Sequence, residues 1–185
     1  MPGEPEFYGN YNEENCSMGK PRWCYNGELS NGVPARVWDQ ECFPGLSGEY
    51  KIDTINYFVG ETLNNPKSPM IEVYLYENSG PAEEAFFTVP LGEDDIKKGE
   101  HEIDITMPNV QAPFCVGITG GSIGSLSGLG IAVDSTEPAP GMSFWGMGGP
   151  PPTCEISKFT DILDTGTSSP GHWCIGFSAV KINEP

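Results

Sequence analysis

The chain has 185 residues, 26 acidic against 9 basic, and a formal charge of −17 at neutral pH. That length fits a single domain, and that charge repels phosphate backbones and anionic lipid, which argues against nucleic-acid and membrane-surface partners. Twenty-four glycines and 18 prolines interrupt the chain too often for long helices, and no apolar run approaches the roughly 18 residues of a membrane span.

Hydrophobic residues make up 37% of the chain, enough for a packed core, so the glycine and proline mark turns and not disorder. Residues 1–35 are polar and turn-rich, with Asn26-Gly27 and Asn31-Gly32, and read as an irregular N-terminal segment packed on a domain that runs over 36–185. The first fifteen residues are acidic and lack an apolar leader core, so the expectation is a secreted chain from which a signal peptide is absent.

Strand patterns begin at ARVW and run to Phe43. In EYKIDTINYFVG, Tyr50 and Ile52 fall in one phase and Ile55, Tyr57 and Val59 in the other, so a bulge is needed to keep them on one face. MIEVYLYE alternates cleanly, with Ile71, Val73 and Leu75 toward the core and Tyr74 and Tyr76 on the opposite side. AFFTVPL, EIDITM, FCVGIT, LGIAVD, MSFWGM and HWCIGFSAVKI continue the series, and GEDDIKKGE is confined by Gly92 and Gly99 to one or two helical turns. Many short strands separated by turns predict an all-β fold, an antiparallel β-sandwich with jelly-roll-like topology.

Six cysteines, Cys16, Cys24, Cys42, Cys115, Cys154 and Cys174, form an even set without a C-x-x-C pair. Disulfides in an extracellular compartment account for them better than zinc. The pairing expected is Cys16–Cys24 by proximity, with Cys42–Cys115 and Cys154–Cys174 as the remaining bridges. A cytosolic or virion protein with free thiols is the alternative. Asn15-Cys16-Ser17 matches a glycosylation sequon, which matters only in a eukaryotic secretory setting.

ILDTGTSS, around Asp164, resembles the segment in which pepsin-like aspartic proteases present a catalytic aspartate. Such catalysis needs two carboxylates about 3 Å apart sharing a proton. The nearest second copy, IAVDSTEP with Asp134, lacks the glycine, and the likeness covers about eight residues; a polar turn before the last strand is the simpler reading. The two histidines, His101 between Glu100 and Glu102 and His172 before Trp173, have no G-x-S-x-G partner, so no catalytic residues are assigned. Hydrolase activity stays only as a remote alternative.

Calcium is the one cofactor the composition invites, since hard oxygen ligands are plentiful; Asp134, Asp161 and Asp164 are the candidate loop ligands. Tyr74 and Tyr76, two residues apart on one strand face, are candidates to stack on sugar rings, with Trp23, Trp38 and Trp145 adding to the platform. The competing reading has that face covered by the N-terminal segment.

From Ala35 onward, the order EYKIDTINYFVG, MIEVYLYENSGP, HEIDITM, FCVGIT, LGIAVDSTEPAPGMSFW and GHWCIGFSAVK resembles secreted β-sandwich accessory domains of bacterial extracellular proteins. The resemblance implies attachment or binding beside a catalytic or anchoring partner, and with the aromatic residues the expectation is a non-catalytic recognition or adhesion module that binds carbohydrate or another surface ligand. The alternative is a structural subunit of an extracellular filament or surface layer that self-associates by strand addition.

Overall fold

The computed structural model of the chain describes residues 3–16, 34–64, 66–123, 128–136, 138–148, 159–164 and 171–182. In chain order the strands are β1 (Glu6–Gly9), β2 (Pro34–Cys42), β3 (Gly48–Leu63), β4 (Lys67–Glu77) and β5 (Gly80–Pro81). Next come β6 (Phe87–Pro90), β7 (Gly99–Asp104), β8 (Val110–Ala112), β9 (Phe114–Ile123) and β10 (Gly128–Ile131). The last are β11 (Val133–Asp134), β12 (Ser143–Gly148), β13 (Thr160–Asp161), β14 (His172–Trp173) and β15 (Ile175–Ile182). Helix among the described residues is limited to three-residue turns at Glu13–Asn15, Asp94–Ile96 and Ile162–Asp164. The Asp94–Ile96 turn is what remains of the helical patch that Gly92 and Gly99 bracket.

The first sheet runs β1-β15-β3-β10, with β7 and β8 also on β3; the second runs β13-β12-β2-β9-β4-β5, with β6 on β4. A short β11–β14 ladder stands apart. Neighbouring strands in both sheets are antiparallel. The protein is therefore all-β with antiparallel sheets.

One hydrophobic cluster draws on both sheets. Ile52, Ile55, Tyr57 and Phe177 come from the first, and Ile71, Val73, Phe114, Val116 and Ile118 from the second. Each such side chain contributes about 1.5–3 kcal/mol by leaving water. The phase slip in β3 is resolved as its sequence demands. Thr54 pairs with Ser178 and Ile52 with Ala179, so Asp53 is an extra residue that returns Tyr50 and Ile52 to the face of Ile55, Tyr57 and Val59.

On β2 the alternation carries polar residues inward. Asp39 and Glu41 lie opposite Ile118 and Val116, on the core side, while Trp38, Gln40 and Cys42 take the other face. Gly117 stands opposite Gln40, and a β-carbon there would overlap the Gln40 amide and the Asp39 carbonyl. Glycine thus lets the Gln40 side chain lie across the strand, fully buried, with neither amide atom hydrogen-bonded.

Cys42 and Cys115 face each other across β2 and β9 and are disulfide-bonded, as expected. The other expected bridges are corrected: Cys16 joins Cys174, 158 residues away, and neither Cys24 nor Cys154 is its partner or that of Cys174. Cys24 and Cys154 lie outside the described residues. The physical reason is topological. β1 pairs with β15, which carries residues 6–16 back along the last strand and sets Cys16 beside Cys174, their Cα atoms 6.1 Å apart.

Candidate functional site

Two constellations concentrate polar chemistry. The first is closed. Glu41 is fully buried, and its carboxylate accepts from His172 Nδ1 (2.7 Å) and Asn10 Nδ2 (2.9 Å) on one oxygen. Its other oxygen accepts from Ser143 Oγ (2.7 Å) and the Trp173 backbone amide (3.1 Å). Burial pushes the Glu41 carboxyl above its ordinary range, and the bonds from His172, Ser143 and Asn10 pull it back.

Serine, histidine and glutamate together suggest a nucleophilic triad, but the connectivity differs. In a triad the acid holds one ring nitrogen while the hydroxyl meets the other. Here Ser143 Oγ (3.4 Å) and Glu41 both approach Nδ1, and Ser143 donates directly to the acid. The arrangement ties four chain segments together: the N-terminal arm, β2, β12 and β14. Asp134, also buried, extends it. Burial acts to raise its pKa but is outweighed by the backbone amides of Asn12 (2.8 Å) and Thr136 (2.9 Å), so its carboxyl sits below the usual range.

The second constellation is open. Beside the outer face of the second sheet lies a cleft of about 490 Å³ lined by Tyr76, Phe144 and Phe159 together with Asp161 and Asp164. A neighbouring hollow of about 430 Å³, walled by the turn from Glu77 to Glu83, shares Ser79, Phe144 and Phe159 with it. Volumes of this size suit small ligands.

The cleft is held by local bonds. Asp161 accepts from the amides of Gly141 (2.6 Å) and Leu163 (3.0 Å), fixing the turn that carries Asp164. Gly141 has φ +81°, and a β-carbon there would come within 2.6 Å of the Tyr76 hydroxyl, so glycine both turns the chain and makes room for the phenol. Burial, then the charge of Asp161, raises the Tyr76 pKa, so the hydroxyl stays protonated and able to donate.

The structure separates the residues singled out from sequence. Tyr76 lines the cleft. Tyr74 does point away from the main core, but it is only 1% exposed. Phe159 stands edge-on over it at 4.9 Å, and the Tyr74 hydroxyl donates to Glu72 (2.5 Å). The pair of side-by-side exposed rings is thus replaced by one ring at the cleft and one beneath a cover. That cover includes Phe159, whereas the N-terminal arm packs on the first sheet through β1.

Trp38 is half-buried and edge-to-face with Phe159, Trp145 packs against the main core, and Trp23 lies outside the described residues. Asp161 and Asp164 share the cleft, while Asp134 lies outside it. Among the described residues no three His, Cys, Asp or Glu side chains gather as a metal-holding group. No helix among them is long and apolar enough to cross a membrane. His101 packs on Tyr57, ring centroids 5.3 Å apart.

Sequence reasoning missed Glu41, Ser143 and Phe159. Glu41 had a signal: in ARVWDQECF the phase of Val37 and Phe43 also carries Asp39 and Glu41, acids on a core-facing stripe. Phe159 had none, because its neighbours Tyr74 and Phe144 are distant in sequence. No protein-family model, curated protein or solved structure matches the chain. The class that fold and geometry define is therefore coarse: an all-β, antiparallel, disulfide-bonded protein with an aromatic and acidic cleft.

Proposed function

We propose that the protein is a non-catalytic extracellular recognition module that binds carbohydrate in the Tyr76–Asp164 cleft, on a β-sandwich of jelly-roll type. The observation that carries this reading is the composition of the cleft. Tyr76 and Phe159 offer ring surfaces for the apolar face of a sugar, and Asp164, Ser79 and the Tyr76 hydroxyl offer partners for its hydroxyl groups. The net charge of −17 favours neutral or basic sugars over sulfated and uronic ones. The two disulfides among the described residues are in keeping with an oxidising, extracellular home.

Calcium is not needed for this reading, and loss of binding in chelator would bring it in through Asp161 and Asp164. The self-assembling alternative is weaker, because β1, the strand that would be donated, already pairs with β15 of its own chain. A glycan array probed with wild type, Tyr76→Ala and Asp164→Asn tests the proposal. Retention by wild type with loss in both variants is expected, and equal retention by all three would remove the cleft as the binding site.

A further inference from the structure

The outer face of the first sheet carries aromatic side chains that the core does not use. Phe7 on β1 is 51% exposed, and Tyr11 stands edge-to-face with both Phe7 and Phe58, ring centroids 6.1 Å apart in each case. The line of rings is continuous from the N-terminal arm to β3.

Acids border it. Phe58 lies directly opposite Glu100 on β7, and strand alternation places Glu102 and Asp104 on the same face, all three exposed. Asn56 donates to Glu102 (2.9 Å). Among the described residues no lysine or arginine pairs with these three carboxylates. Burial, then the charges of Glu13 and Glu100, pushes the Tyr11 phenol above its ordinary range.

The floor between rings and acids is low. Ser178 and Gly176 on β15 pair with Thr54 and Asn56 on β3. A β-carbon at Gly176 would approach Phe7 Cζ to 2.8 Å, so a larger residue there would lift the ring off the sheet.

We infer that this face docks an extended, lysine- or arginine-rich segment of a partner protein. Its cationic heads meet Glu100, Glu102 and Asp104, and its stems and guanidinium planes lie on Phe7, Tyr11 and Phe58. The spacing agrees: carboxylates on alternate residues of β7 recur about every 6.6–6.8 Å, the repeat at which an extended peptide presents alternate side chains. β7 pairs with β3 on one side, and among the described residues no strand covers its other edge. The surface lies on the other sheet from the Tyr76 cleft and depends on nothing in the carbohydrate reading.

Charge alone would draw any polycation to this protein, so the test separates local docking from diffuse attraction. The probe is a fluorescein-labelled peptide of alternating arginine and threonine, read by anisotropy in about 0.15 M salt, where diffuse attraction is largely screened. Glu100→Gln/Glu102→Gln is expected to weaken binding roughly tenfold, and Phe7→Ser, which leaves the charge unchanged, roughly fivefold. The control Glu84→Gln/Glu93→Gln, of equal charge change, should stay within about twofold of wild type. Phe7→Leu, which keeps the apolar bulk and removes the ring, serves if Phe7→Ser melts early. The inference is overturned if wild type does not bind, if the phenylalanine variants bind like wild type, or if the control pair loses as much as the β7 pair.

Discussion

The Glu41 node and the Tyr76–Asp164 cleft are made of similar parts, carboxylates and hydroxyls beside aromatic rings, and differ in how those parts are satisfied. Around Glu41 four donors meet one carboxylate, with no solvent access. At the cleft, Asp161 is bonded by two amides but Asp164 is exposed, beside a cavity large enough for a ligand. A complete set of internal partners marks a structural tie, and an exposed carboxylate beside such a cavity marks a place for a ligand. Residue identity alone would have ranked them the other way, since the node holds the serine, histidine and acid.

The largest loss of stability is expected at Glu41. Glu41→Ala would leave His172, Asn10, Ser143 and the Trp173 amide facing a void, which costs about 3–5 kcal/mol for a broken buried pair. Thermal melting should show a drop on the order of 10 °C at this chain length. A change of only a degree or two would mean the node is not the tie described here.

Next in size is the bridge that anchors the same arm. Cys16→Ser/Cys174→Ser should lose about 2–4 kcal/mol in denaturant titration. Protease cleavage within residues 6–16 should rise with it, because β1 and the Asn10 and Asn12 bonds then hold the arm alone. If residues 6–16 stay protected, those bonds suffice without the bridge.

Smaller still is the pH dependence set by Asp134. Its folded pKa is lowered, so its stabilising contribution is complete above the unfolded value, about 3.9, and is lost as pH falls through the folded one. Glu41 has the opposite sign: its folded pKa is raised, and its ionisation costs stability as pH rises through that value. Melting temperatures from about pH 5 down to pH 2 should therefore fall more steeply in wild type than in Asp134→Asn. Parallel curves would show that the Asn12 and Thr136 amides do not hold the ionised form.

The least effect on stability is expected at the cleft. Asp164→Asn should stay within about 0.5 kcal/mol of wild type, as exposed substitutions do. A large loss there would make Asp164 part of the framework and weaken its assignment to a ligand.

Much of the fold is legible in the residues. The alternation of MIEVYLYE and the phase slip of EYKIDTINYFVG state which side chains are buried and where a bulge must fall, and β4 and Asp53 follow them. The bridge of Cys16 to Cys174 was not legible, because proximity in sequence favours short loops and only the β1–β15 pairing brings those residues together. Nor was the burial of Tyr74, since period-two alternation assigns a face to a side chain but not what covers it. Half of the cleft was legible: Tyr76, Asp161 and Asp164 stand out from sequence. Phe144 and Phe159, which complete it, meet Tyr76 only through tertiary pairing.

The most direct measurement sets the two regions side by side, with glycan retention and melting temperature determined for Tyr76→Ala and Glu41→Gln under identical conditions. Placing the ligand in the cleft predicts that Tyr76→Ala loses retention while melting near wild type. Glu41→Gln should melt well below wild type yet retain glycan at temperatures where it is folded. Retention lost in folded Glu41→Gln and kept in Tyr76→Ala would contradict it.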